Sequence, residues 1–283
     1  MIPRIEELAL KKRARIAIGV TTEERMQQRT ISGALHALRR GFCQPVLIGS
    51  NLRNNDELET INTANPEETL IDLMMSRKVD GVVRGSFKAN ATLRALKSRM
   101  LKSGNQAPNR IGLLQHPLSE KAIYLSPVGI EEGKDFETKK LIISKGIELL
   151  QLLGFSPKID VLAAGLEPDD LGRDSYSDET IHAASQLVKV FGSYPELRIK
   201  SSGILVENSI GEGANFIIAP DGISGNLLYR TLVHVADWKS FGAVLILKDS
   251  KLSDHVYVDT SRIGTVHEYR RALTFASALA GIA

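Results

Sequence analysis

Apolar residues in this chain come in short continuous runs separated by longer stretches with helical spacing. Arg15–Val20, Pro45–Gly49 and Asp80–Gly85 are runs of strand length. Between them, Glu23–Arg40 carries Ile31, Ala34, Leu35 and Leu38 on one helical face, and Glu67–Lys78 carries Leu70, Ile71, Met74 and Met75. A further helix is expected from about Asn90 to Lys102. Short apolar runs bounded by turn residues read as strands covered on both faces, and their alternation with amphipathic helices predicts a parallel sheet. Ser103–Asn109 is a candidate domain boundary. Beyond it, Ile111–Leu114 and Ala122–Leu125 predict two strands around a polar turn, Asp135–Leu153 a long helix and Ile159–Gly165 another buried strand. Leu166–Asp178 is too polar for a core and reads as a surface loop. A helix at Glu179–Phe191 and strands at Ile199–Val206, Phe216–Ala219 and Phe241–Leu247 follow, then a short run at Val256–Val258 and a last helix at Thr265–Leu279. The fold class is α/β.

The stretch from Gly213 to Arg230 concentrates the chemistry. Phe216–Ala219 ends at Pro220, which offers no N–H to a ladder. Asp221–Asn226 then supplies glycines and small polar residues, and a helix is expected to begin near Asn226, a good cap residue. A strand, a glycine loop and a helix N-terminus together form an anion site, so Ser224, Gly225, Asn226 and Arg230 are candidate ligand contacts. An ordinary strand-to-helix connection has the same pattern.

A second candidate follows Val256–Val258. Arg262 offers a planar fork for phosphate or carboxylate, and Ser261 a hydroxyl donor. Glu268, in the first turn of the last helix, is placed to act as a general base, although a solvent-exposed loop followed by a first-turn glutamate has the same pattern. Arg84, Lys88 and Arg94 follow the third strand at the end where open α/β sheets bind ligands. Basic residues on a surface helix are also commonplace.

Composition narrows the classes. The chain has 283 residues, 43% hydrophobic and 24% charged, with a net charge of +3. That charge gives no nucleic-acid footprint but is compatible with an anionic ligand. One cysteine, Cys43, excludes an intrachain disulfide, and six scattered histidines show no metal-ligand spacing. No cofactor or metal is expected from these residues. No apolar run reaches membrane-spanning length and no signal peptide is legible, so a cytoplasmic location is expected.

Four segments, in order, resemble the phosphate acetyl/butyryltransferase-like superfamily: "ISGALHALRRGFCQPVLIGS", "DGVVRGSFKANATLRAL", "GANFIIAPDGISGNLLYR" and "LSDHVYVDTSR". The resemblance implies two α/β/α domains of the isocitrate dehydrogenase-like type with an interdomain cleft. It implies a discontinuous first domain, 1–108 and 251–283, and an inserted second domain, 109–250. It also implies that Ser261 and Arg262 bind phosphate or developing charge with help from Arg94, and that Glu268 deprotonates coenzyme A or a related thiol. Arg84 stands where that family has serine, Arg230 where it has lysine, and the acidic "VLAAGLEPDDLGRDSYSDE" replaces a loop rich in serine and threonine. In these departures the chain is similar to the subgroup called methanogenesis marker protein 4, or MtxX. That likeness implies a methyltransferase subunit X acting with MtxA and MtxH, a homodimer being compatible. Two alternatives stay open: a phosphate acyltransferase, and a non-catalytic assembly subunit.

Overall fold

A computed structural model of the chain describes residues 1–102, 108–247, 251–252 and 254–282. In chain order the elements are α1 (Ile2–Lys12), β1 (Arg15–Gly19), α2 (Glu24–Arg39), β2 (Gln44–Gly49), β3 (Glu59–Asn62), α3 (Pro66–Met75), β4 (Gly81–Val83) and α4 (Ala89–Lys102). Then come β5 (Asn109–Gln115), β6 (Ala122–Ser126), α5 (Phe136–Leu152), β7 (Lys158–Leu162), α6 (Ser175–Phe191), β8 (Arg198–Gly203) and α7 (Val206–Gly211). The chain ends with β9 (Phe216–Ile218), α8 (Gly222–His234), β10 (Lys239–Ile246), β11 (Val256–Asp259) and α9 (Val266–Ala280). Two compact units result, one formed by Ile2–Pro108 with Ser240–Ala283, the other by Asn109–Lys239. The chain returns to the first unit at 239/240, where the sequence suggested 250/251. The reason is β10, which pairs antiparallel with β11 through Ala243–Asp259 and Val244–Val258. Of the expected boundary segment, Ser103–Ala107 lies outside the described residues.

The first unit orders its strands β3-β2-β1-β4-β11-β10. β1 runs parallel to both β2 and β4, and β4 parallel to β11. The last four residues of β1 are buried, which is why this strand reads as an unbroken apolar run. One side of the sheet is closed by α9, whose residues 272–280 are all buried, as expected of a helix covered all round. It packs against α1 and α2. The α2 crossing is close because residue 33 is glycine. A Cβ there would lie 2.7 Å from the Tyr269 Cβ and 2.9 Å from the Val266 carbonyl oxygen.

The second unit orders its strands β5-β6-β9-β7-β8. β5 and β6 form the expected antiparallel pair, while β6, β9, β7 and β8 run parallel. Buried polar groups pin this sheet. Glu132 accepts from the Arg110 Nε at 2.6 Å and from the Arg110 and Gly129 backbone N–H groups, tying the start of β5 to the loop after β6. Fully buried Asp160 accepts from the N–H and hydroxyl of Ser202, holding β8 to β7. Asn215 accepts from Lys158 N–H and donates to the Ser156 carbonyl at the entry of β9.

Three elements were not expected: α1, the half-exposed strand β3 and the short α7. Two helices begin earlier than the periodicity suggests. α6 starts at Ser175, capped by Asp174, and α8 starts at Gly222, capped by Asp221 rather than Asn226.

Because both neighbours of Gly33 are the backbone and Cβ of α9, neither can rotate away. Gly33→Ala is expected to destabilise the protein by about 1–3 kcal/mol, the usual cost of forcing a methylene into a filled interior. Urea denaturation at equal m-value measures it.

Candidate functional site

In the first unit the C-terminal ends of parallel strands β1, β4 and β11 come out side by side. Such strand ends are where open α/β sheets hold ligands. Arg84, the residue after β4, has its side chain only 7% exposed. Its Nε donates to Asp259 at the end of β11, its Nη2 to the Thr260 carbonyl, and its Nη1 to the Phe87 carbonyl at 2.6 Å. The sequence reading made Arg84 a ligand contact. The structure instead uses up its donors on the protein, because a buried guanidinium has to be paired. Nearby, the Thr260 hydroxyl donates to the Gly85 carbonyl at 2.9 Å, and Thr21 N–H donates to the Ser86 hydroxyl at 3.0 Å. The exits of β1, β4 and β11 are thereby stitched together.

Ser261 and Arg262 follow directly and are half-buried. The Tyr269 phenol, reaching up from α9, donates to the Arg262 carbonyl at 2.8 Å and fixes this turn. The Arg262 guanidinium meets Glu23, from the exit of β1, at 3.3 Å. Its Nε is buried and has no hydrogen-bond partner among the described residues. Glu23 was not picked out from the sequence. It sits at the N-cap of α2, the exit of β1, but makes no capping bond with its side chain, which is free to face Arg262. Glu268 closes a capping box: its carboxylate accepts from Thr265 N–H at 2.6 Å while the Thr265 hydroxyl accepts from Glu268 N–H. Lys88 and Arg94 are exposed, Lys88 in the loop before α4 and Arg94 on that helix. Neither has an ion-pair partner among the described residues.

In the second unit, the glycine-rich helix start does not keep its N–H groups free for a ligand. One Asp221 oxygen accepts from Ile223 N–H and Ser224 N–H, both at 2.8 Å, and from the Ser224 hydroxyl. The other accepts from the Tyr176 phenol of α6. The chain's own carboxylate thus takes the place that an anion would occupy. Gly222 and Gly225 are needed for packing, since a Cβ on either would collide with the Gly129 or Pro127 carbonyl oxygen. Asn226 donates to the Val128 carbonyl at 2.8 Å, again within the fold. Arg230 lies exposed on α8. Partial burial pushes the Asp221 carboxyl up, but the hydrogen bonds from Tyr176, Ser224 and Ile223 outweigh it and hold it below the usual aspartate value.

Cys43 is fully buried and its thiol is pushed up to about 12 by that burial, which leaves no thiolate for chemistry. Among the described residues, no three His, Cys, Asp or Glu side chains are grouped to hold a metal ion, and no helix is long and apolar enough to cross a membrane.

Compared with solved structures, this architecture is that of the phosphotransacetylases. A branched-chain phosphotransacylase from Enterococcus faecalis superposes with a TM-score of 0.71 at 17% identity, covering 94% of this chain and 98% of that one. A phosphotransacetylase from Streptococcus pyogenes gives 0.67 at 16% identity, covering 98% and 97%. At such identities the likeness is one of fold. No family model matches the chain. Sequence relatives are more specific. A Methanosarcina mazei protein named "Putative methyltransferase mtx subunit X" is 36% identical over 282 residues, 99% of this chain and 95% of that protein. A Methanocaldococcus jannaschii protein named an uncharacterized methyltransferase is 33% identical over 224 residues, 77% of this chain and 86% of that one. The chain belongs to the mtx subunit X (MtxX) family.

Asp221→Ala removes a cap that accepts three donors of α8, and is expected to cost about 1–2 kcal/mol at neutral pH. A carboxyl held below its unfolded value stabilises the fold above that value, near 3.9, and the contribution is lost as pH falls through the folded value. The stability gap between wild type and variant, measured by urea denaturation at pH 7 and pH 3, should therefore shrink at the lower pH.

Proposed function

We propose that this protein is a transferase-type subunit of a methyltransferase assembly. In this reading it binds a small anionic ligand bearing a phosphate or thiol, such as coenzyme A or a related thiol, at the Ser261–Arg262 turn. The observation that carries the first half is the relationship with mtx subunit X proteins, which runs over 99% of the chain. The second half is supported by Arg262. Its side chain is 39% exposed and its only ion-pair partner among the described residues is Glu23, met through Nη2, so the open part of the guanidinium retains donors for an incoming anion. Exposed Lys88 and Arg94 add positive charge to the same unit. The methyl-carrying cofactor is then supplied by another subunit.

The fold's likeness to phosphotransacetylases favours acyl transfer as a second reading. That reading asks Glu268 to remove a proton from a thiol, and weighing against it is the capping bond the carboxylate already makes with Thr265. It predicts turnover of acetyl phosphate with coenzyme A, whereas the first reading predicts none.

Calorimetric titration of the purified protein with coenzyme A, acetyl phosphate and coenzyme M tests the site. At least one is expected to bind, and Arg262→Ala should weaken it by about tenfold or more, as hydrogen bonds to charged groups are worth about 1.5–3 kcal/mol. Unchanged affinity in the variant would remove Arg262 from the site.

A further inference from the structure

We propose that the second unit carries a separate ligand site, a cavity for an organic anion with an apolar body, whose charge is received by Lys139. The site is independent of the Ser261–Arg262 turn and uses none of its residues.

The cavity has a volume of about 720 Å³, within the range of small-molecule sites. Three segments wall it: the loop after β6 with the first turn of α5, the first turns of α6, and the start of α8. Its walls are apolar over much of their extent, with Phe136, Ala183 and Pro220 among them. Ile130 and Ile223, also lining it, are 61% and 57% exposed. Large aliphatic side chains left this open on the rim of a cavity suit an apolar partner.

Lys139 is the unusual member. It belongs to the first turn of α5, lines the cavity, and is only 7% exposed. Among the described residues, nothing lies within hydrogen-bonding or ion-pairing distance of its ammonium group. A lysine kept for solubility sends its head into water along an apolar stem. Most of Lys139 is withdrawn from water although its ammonium is not sealed off, and a cation so placed without a partner is costly unless an anion meets it. Burial lowers its pKa, while Asp221, Glu179 and Asp135 pull the other way from beyond contact distance.

None of those carboxylates is a dedicated partner. Asp221 is already taken by Tyr176 and the start of α8. Asp135 accepts from the N–H and hydroxyl of Thr138 as the cap of α5. Glu179 is exposed to solvent. The ammonium therefore keeps three donors facing a largely apolar space. The lining also holds Lys134 and the carboxylates of Glu179 and Asp221, so it is the unpaired donors of Lys139 and not a net positive charge that would receive an acid group. A carboxylate or sulfonate on a hydrocarbon or aromatic body answers both features, with the acid group on Lys139 and the body against Phe136, Ile130 and Ile223.

The test uses 8-anilinonaphthalene-1-sulfonate, an apolar anion, and N-phenyl-1-naphthylamine, its uncharged analogue, both titrated by fluorescence into the full-length protein. The anion should bind and be displaced by octanoate. Lys139→Met, which keeps an unbranched apolar side chain, should weaken the anion at least tenfold and the uncharged analogue less than twofold. Lys139→Arg should retain the anion, and the melting temperature of Lys139→Met without ligand should equal or exceed that of wild type, since a buried unpaired charge has been removed. Failure of the wild-type protein to bind the anion would overturn the proposal. So would equal affinity in Lys139→Met, or a parallel loss of both dyes. Loss of the anion in Arg262→Ala would place it in the first unit and overturn the proposal as well.

Discussion

Arg84 reaches three acceptors at once across the ends of two neighbouring strands: the Asp259 carboxylate, the Thr260 carbonyl and the Phe87 carbonyl. Buried ions are tolerated only when paired and hydrogen-bonded, and removing one partner typically costs about 3–5 kcal/mol. The pair therefore dictates where the chain goes after β4 and after β11. Thr260 is drawn in to donate to Gly85, so Ser261 and Arg262 emerge at a set position, and Tyr269 secures the turn from below. Gly33 lets α2 approach α9 closely enough for Tyr269 to stand where it does. The geometry of the candidate anion site is thus inherited from the core.

The second unit follows a related principle with the charge reversed. Its glycine-rich helix start has the composition of a phosphate cradle, yet the N–H groups are satisfied by Asp221 from within. Backbone donors at a helix start have to be met by something, and here the chain meets them itself. A cation without a hydrogen-bond or ion-pair partner among the described residues, Lys139, instead lines the cavity beside that helix start. An anion bound in this unit is then expected at a side chain, where a point charge tolerates many acid groups.

The sequence made the α/β class and the parallel strands β1, β2 and β4 of the first unit legible, because strands covered on both faces are continuous apolar runs. The antiparallel pair β5–β6 was legible from its polar turn. β3 was not, since Glu59–Asn62 is half-exposed and polar, so no apolar run marks it. α1 carries its buried Ile2, Ile5, Leu8 and Ala9 among so many charges that its stripe is easily passed over. Local propensity misled at α8, where Gly222 and Gly225 read as loop although they are helical. They are glycines because α8 lies against the 127–132 loop, a non-local fact. Arg84 misled for the same reason: its partner Asp259 is 175 residues away, and a cation after a strand looks alike whether it serves a ligand or the fold. Ser261, Arg262, Lys88 and Arg94 were selected by their place after strands. Glu23, which meets Arg262, gave only its place at a strand exit as a signal.

Membership of the mtx subunit X family and a phosphotransacetylase-like fold together describe a protein with the architecture of one transferase class and the relatives of another. A subunit that positions a ligand while a partner carries the methyl group reconciles the two. The most direct measurement is purification of the native protein from its own cells under gentle conditions, with the mass of the complex and its content of methyl-carrying cofactor determined together. A stable complex with other methyltransferase subunits, holding that cofactor outside this chain, is the expected result. A protein that runs alone or only with copies of itself, and carries no such cofactor in any fraction, would contradict it.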